Sequence, residues 1–282
     1  MKSWLNMSRA RTAAILPLCA LFLSCCSREE PASPPPDSSP KNAASAETKQ
    51  KKPLPDPKES WAALPTAEWP QLVLTNHAEF KGGRKLEGAS SFLIQHENRV
   101  IAATAKHLLG ENGGVKPPVP PNSLDDSLSL WEMHPRTKEG PSVRISGLAG
   151  RNNNKGFPDW LLLTLHGERK NYPSTPLRLR KKPVTVGETI HLVGVSYQEP
   201  DRAQGVYTGK VTERNGDLFR YTIEPSVLIN GFSGAPVLDK DGLVVGVMTI
   251  WFEQQADANG LNTDAGGEDA STALLMLESQ KR

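Results

Sequence analysis

From Gln71 onward the chain is divided into short apolar runs separated by Gly, Asn, Asp and Pro, with no long stretch at helical period between them. The runs include Gln71–Thr75, Gly88–Gln95, Arg99–Thr104, Ser142–Ile145, Trp160–Leu165, Thr189–Gly194, Gly205–Val211, Phe219–Ile223 and Leu243–Ile250. Many short strands at this spacing predict an all-β sandwich or a pair of barrels. The polar triplet His96-Glu97-Asn98 between two of the runs is a hairpin signal. Gly113–Ser123, with Lys116-Pro-Pro-Val-Pro-Pro121, and Gly150–Pro158, with Asn152-Asn-Asn154, read as loop insertions. The segment Glu253–Glu268 is polar and Gly-rich and reads as a tail, and Ser271–Ser279 as a short closing helix.

The first sixty residues are of another kind. Lys2, Arg9 and Arg11 precede an apolar stretch, Thr12–Ser24, that is too short to span a bilayer of roughly 30 Å. This is the pattern of a signal peptide, expected over residues 1–25. Leu23-Ser24-Cys25-Cys26 resembles a bacterial lipobox, which makes Cys26 the expected lipidated residue, with Cys25 or plain secretion as alternatives. Residues 26–60 hold eight prolines among Ser, Ala, Lys and Glu and read as a disordered tether. The folded domain is expected over 61–282. All 3 cysteines, Cys19, Cys25 and Cys26, lie ahead of it, so its stability must come from core packing. The formal charge of +2 becomes −1 once the three signal-peptide cations are removed, and no basic stripe with interleaved aromatics points to nucleic acid.

Within the domain, Asn230-Gly231-Phe232-Ser233-Gly234-Ala235-Pro236 places a serine beside two glycines, just ahead of the apolar pair Val237-Leu238. A hydroxyl becomes a nucleophile when an adjacent base takes its proton, and an imidazole does this best when a third group orients it. All 6 histidines (His77, His96, His107, His134, His166, His191) precede Ser233. In the α/β-hydrolase elbow the histidine follows the serine, so that scaffold fails here. The order His, Asp, Ser remains open. For the acid, Asp159 heads the longer apolar run and is preferred to Asp125-Asp126.

These residues carry a resemblance to a known family. Thr104-Ala-Lys-His107 resembles the Thr-Ala-Ala-His motif of trypsin-like serine proteases, and Asp159-Trp-Leu-Leu-Leu163 their Asp-x-Ala-Leu-Leu segment. Gly231-Phe-Ser-Gly-Ala-Pro236 resembles Gly-Asn-Ser-Gly-Gly-Pro, and the spacing that follows, with Gly242 and Gly246, is similar to the bacterial HtrA-like branch. The resemblance spans about residues 70–252 and includes no appended PDZ domain.

It implies an all-β fold of two six-stranded barrels, one at about 66–170 and the other at about 171–260, with the active site between them. It also implies His107 as general base, Asp159 as its orienter, Ser233 as nucleophile, and the backbone N–H groups of Gly231 and Ser233 as an oxyanion hole. No metal or organic cofactor is implied, and the partners would be polypeptide substrates and, through Cys26, a membrane outside the cytoplasm. Counting about six residues back from the serine places the floor of the substrate pocket at Val227, with Leu228 or Ile229 as alternatives, and Met248 and Thr249 are expected beside it. An apolar floor of that kind favours small or medium aliphatic residues. Lys106 departs from the family motif, and strand alternation would turn it away from His107 as a solvated cation. Besides a serine endopeptidase, a degenerate protease fold kept as a peptide-binding module, or an esterase on the same barrels, fits these residues.

Overall fold

The structure, a computed structural model, describes residues 58–137, 140–150, 158–167, 169–249 and 255–279. The expected signal peptide, Cys26 and almost all of the expected tether lie outside the described residues.

Twelve strands close into two antiparallel barrels. Barrel one comprises β1 (Val73–Phe80), β2 (Arg84–His96), β3 (Arg99–Ala105), β4 (Leu128–His134), β5 (Val143–Leu148) and β6 (Trp160–Leu165), in spatial order β1-β2-β3-β6-β5-β4. Barrel two comprises β7 (Thr189–Gly194), β8 (Gly205–Asn215), β9 (Leu218–Val227), β10 (Pro236–Asp239), β11 (Val244–Thr249) and β12 (Asn262–Asp269), in the order β10-β11-β12-β9-β8-β7. Closure gives each described strand a partner on both sides. A one-turn helix, α1 (Leu124–Ser127), precedes β4, and α2 (Ala270–Glu278) follows β12.

The burial pattern of each strand reports its place. β5 and the first part of β8 alternate buried and exposed residues, as strands with one wet face do. β11 is buried at all six positions and β6 at its first four, because their outer faces lie at the contact between the barrels. Three apolar clusters result. One fills barrel one around Leu93, Trp131 and Leu161, and one fills barrel two around Phe219, Tyr221 and Val237. The third joins Phe92, Ile101, Trp160 and Leu162 to Val193, Leu238, Val244 and Val247 across the interface.

Two expectations are corrected here. Barrel two extends past residue 260, because its sixth strand, β12, takes up the second part of the segment read as a polar tail. Its backbone pairs with β11 on one side and β9 on the other, and that pairing outweighs a composition poor in β-branched residues. The folded body also starts before residue 61. The Glu59 N–H donates to the Asp241 carbonyl at 2.9 Å, Arg178 Nε reaches Glu59 at 2.6 Å, and Lys58 reaches Asp241 at 3.0 Å. The closing helix forms as α2, with Asp269 Oδ1 accepting from the Ser271 N–H at its start.

Where barrel two meets barrel one, Gly234 has φ +84°, and a Cβ there would overlap the Ser90 carbonyl oxygen and Thr104 Oγ1. Only glycine lets the segment carrying Ser233 lie this close to β2 and β3. Across this contact the Ser90 N–H donates to the Ser233 carbonyl at 2.9 Å, while within barrel two the Gly234 N–H donates to the Met248 carbonyl at 3.1 Å.

Candidate active site

β3 ends at Ala105 and the chain tightens into a 3-10 turn, Lys106–Leu109, which carries His107 at the barrel contact. Asp159, immediately ahead of β6, is 1% exposed. Its carboxylate is surrounded by donors. Oδ1 accepts from the His107 backbone N–H at 2.8 Å, while Oδ2 lies 2.7 Å from His107 Nδ1 and accepts from Thr249 Oγ1 at 2.5 Å. A carboxylate at that distance assigns the proton to Nδ1 and leaves the lone pair on Nε2. Nε2 is buried and has no hydrogen-bond partner among the described residues.

Asp159 is held by its main chain as well. Its N–H donates to Glu268 Oε2 at 2.5 Å and its carbonyl accepts from the Lys106 N–H at 2.5 Å. Burial pushes the Glu268 carboxyl up to about 7; the Asp159 charge adds to the rise, and the Asp159 N–H and Lys106 oppose it. Lys106 is corrected from a solvated cation to a buried one, 9% exposed. The 3-10 turn breaks the strand alternation on which the expectation rested. Burial lowers the Lys106 pKa against the pull of Asp159 and Glu268.

Ser233 is half-buried and follows a four-residue turn closed by the Phe232 N–H donating to the Ile229 carbonyl at 3.0 Å. Gly231, third in that turn, has φ +105°, the type II geometry that favours glycine. A Cβ there would press on the Val195 carbonyl at 2.9 Å and on the Tyr197 ring. The Asn230 carbonyl accepts from the Tyr197 N–H at 2.9 Å. Because a trans peptide sets C=O and N–H on opposite sides, the Gly231 N–H points away from Tyr197. The Gly231 carbonyl is fixed in turn by Ser90 Oγ at 2.8 Å. Among the described residues the N–H groups of Gly231 and Ser233 meet no backbone acceptor. Phe232 is buried against Tyr207 at a ring separation of 5.4 Å and anchors the turn from below.

A cleft of about 260 Å³ opens beside these groups, lined by Ala89, Leu108, Asn112, Tyr197, Ile229, Asn230, Gly231, Ser233 and Met248. Of the residues expected around the substrate, Met248 and the alternative floor residue Ile229 line it. Val227 ends β9 inside the barrel-two core and pairs with Asn262. Leu228 is half-buried outside the cleft lining, and Thr249 is committed to Asp159. Asp125, the rival acid, accepts from the Leu148 N–H at 3.1 Å. Among the described residues no group of three His, Cys, Asp or Glu side chains is placed to hold a metal ion.

Sequence reasoning missed the clamping role of Tyr197, the bond from Thr249 and the presence of Glu268. Thr249 lies 90 positions from Asp159 and Glu268 109, so no local pattern joins them.

Comparison with curated proteins finds no match. Among solved structures, the chain is similar to the protease Anisep from Arthrobacter nicotinovorans, with 11% identity and a TM-score of 0.53 over 74% of this chain and 94% of that one. It is also similar to the active form of the Rv3671c protease from M. tuberculosis, with 14% identity and a TM-score of 0.48 over 74% of this chain and 80% of that one. The first likeness bears on the fold alone. A family model described as a trypsin-like peptidase domain matches residues 89–247, more than half of the 282. With two closed six-stranded barrels and a matched stretch running from β2 through most of β11, the chain belongs to the trypsin-like peptidase family.

Proposed function

We propose that the protein is a serine endopeptidase acting on exposed or unfolded polypeptides through an acyl-enzyme. Ser233 Oγ adds to the substrate carbonyl carbon as its proton passes to His107 Nε2. The developing oxyanion is received by the N–H groups of Gly231 and Ser233, each such donor stabilising the transition state by about 3 kcal/mol. Collapse breaks the C–N bond, and the amine leaves with the proton from Nε2. Water then enters by the same path and releases the acid. Asp159 holds the imidazole in one tautomer and offsets its positive charge while Nε2 carries the proton. The observation that carries the reading is the Asp159 carboxylate 2.7 Å from His107 Nδ1, with Nε2 left unpartnered.

Incubating the purified protein with a fluorophosphonate probe and digesting it for mass spectrometry tests this reading. The label is expected on Ser233, together with hydrolysis of a casein-type substrate. Labelling without hydrolysis would point to the esterase reading, and no labelling would point to a binding module.

The lipobox-like Leu23-Ser24-Cys25-Cys26 further supports a lipid anchor at Cys26 on the outer side of a bacterial membrane. Expression in a bacterium with radiolabelled palmitate is expected to label the protein. Labelling that survives Cys26→Ser but not Cys25→Ser would move the anchor by one residue.

A further inference from the structure

We propose that Glu268 is a positioning residue that braces Asp159 from behind and, with Lys106, sets the charge standing behind His107. Three observations meet here. Glu268, near the end of β12, is 1% exposed and spends Oε2 on the Asp159 N–H at 2.5 Å. The next residue, Asp269, locks the end of the strand. Its carbonyl accepts from Trp160 Nε1 at 3.1 Å, its Oδ2 accepts from the Val184 N–H at 3.0 Å, and its Oδ1 caps α2. Lys106 brings a cation into the same buried space, where it interacts with both Asp159 and Glu268.

A neutral acceptor would satisfy the Asp159 N–H at lower cost, because a buried carboxylate loses its hydration. What the carboxyl adds is a charge that can change. The groups facing it are Asp159 ahead of β6, Lys106 in the turn after β3, and Asp217 in the turn between β8 and β9. Their balance with burial moves Glu268 up to about 7. Below that pH the carboxyl is neutral. Above it, a second negative charge stands behind Asp159 and favours the imidazolium that forms at His107 in the transition state. Lys106 keeps the two acids from repelling each other without compensation.

The kinetic half of this inference rests on the peptidase reading, and the titration half does not. Glutamate labelled with ¹³C at Cδ reports each carboxyl by NMR, and the signal lost in Glu268→Gln assigns Glu268. The expected result is a Glu268 midpoint near neutrality that falls in Asp159→Asn and rises in Lys106→Met. A midpoint in the ordinary glutamate range, or one unmoved by both substitutions, overturns the proposal.

In parallel, the fluorophosphonate labelling rate is followed from pH 5.5 to 9. Glu268→Gln keeps an acceptor for the Asp159 N–H but cannot ionise. It should match the unaltered protein at low pH and fall behind by roughly fivefold above pH 8, the scale of one partly screened charge. Glu268→Leu, which also leaves the N–H unpaired, should be slow at every pH. Parallel profiles for Glu268→Gln and the unaltered protein overturn the charge role. A complete absence of labelling in the unaltered protein sinks the peptidase reading instead, and the NMR titration then decides the fate of Glu268.

Discussion

Ser233→Ala and His107→Ala are each expected to lower kcat/KM on a peptide substrate by about 10⁶-fold, and the double variant by no more than either alone. In the proposed mechanism the two side chains act on one proton. Without the hydroxyl, His107 has nothing to deprotonate. Without the imidazole, a hydroxyl of ordinary acidity is a poor nucleophile at neutral pH. The geometry divides the work between the barrels. His107 sits on the turn after β3 and Ser233 on the turn before β10, and the bond from the Ser90 N–H to the Ser233 carbonyl at 2.9 Å ties the Ser233 turn to β2. Steady-state kinetics of the three variants, with thermal melts to show that each is folded, checks this. Losses that multiply in the double variant would mean that the residues act independently.

Asp159→Asn is expected to lower kcat by about 10⁴-fold while leaving the fold intact. The amide can take two orientations. With its NH₂ in the Oδ1 place it faces the His107 backbone N–H, a donor that cannot be reversed. With its NH₂ in the Oδ2 place, Thr249 Oγ1 can rotate to accept, but the imidazole must also present a lone pair at Nδ1. The second orientation therefore prevails, and it leaves the proton on Nε2, where the base is needed. A kcat within tenfold of the unaltered enzyme would show that Asp159 does not set the tautomer.

The barrels were legible because their strands are short, apolar and punctuated by turn residues, and because no helical period competes with them. β12 was hidden for a physical reason. Asn262–Asp269 has little strand propensity of its own, and its place comes from backbone pairing on both sides and from the Phe219 ring, which leaves no room for a Cβ at Gly267. Lys106 was misplaced because alternation was extended one residue beyond the strand that justified it. Residue order and motif singled out His107, Asp159 and Ser233, and the structure brings the first two into contact. Counting back along the chain reached the cleft only through its alternative Ile229 and could not find Tyr197 and Ala89, which come to it from distant loops and strands. Nor could it find the donors and acceptors around Asp159, two of which arrive from the last two strands of barrel two.

The ends of the described chain are crossed. Lys58 and Glu59, which lead into barrel one, fasten to the turn between β10 and β11 of barrel two, and Trp61 stacks edge-on with Trp69 at 5.0 Å. Helix α2, which leaves barrel two, lays Ala270, Ala273 and Met276 into the cluster that holds Trp160 and Leu162 of barrel one. Each terminus thus fastens to the barrel at the other end of the chain. A single nick in the crossover between β6 and β7 would leave two fragments, each carrying a segment that fastens to the other.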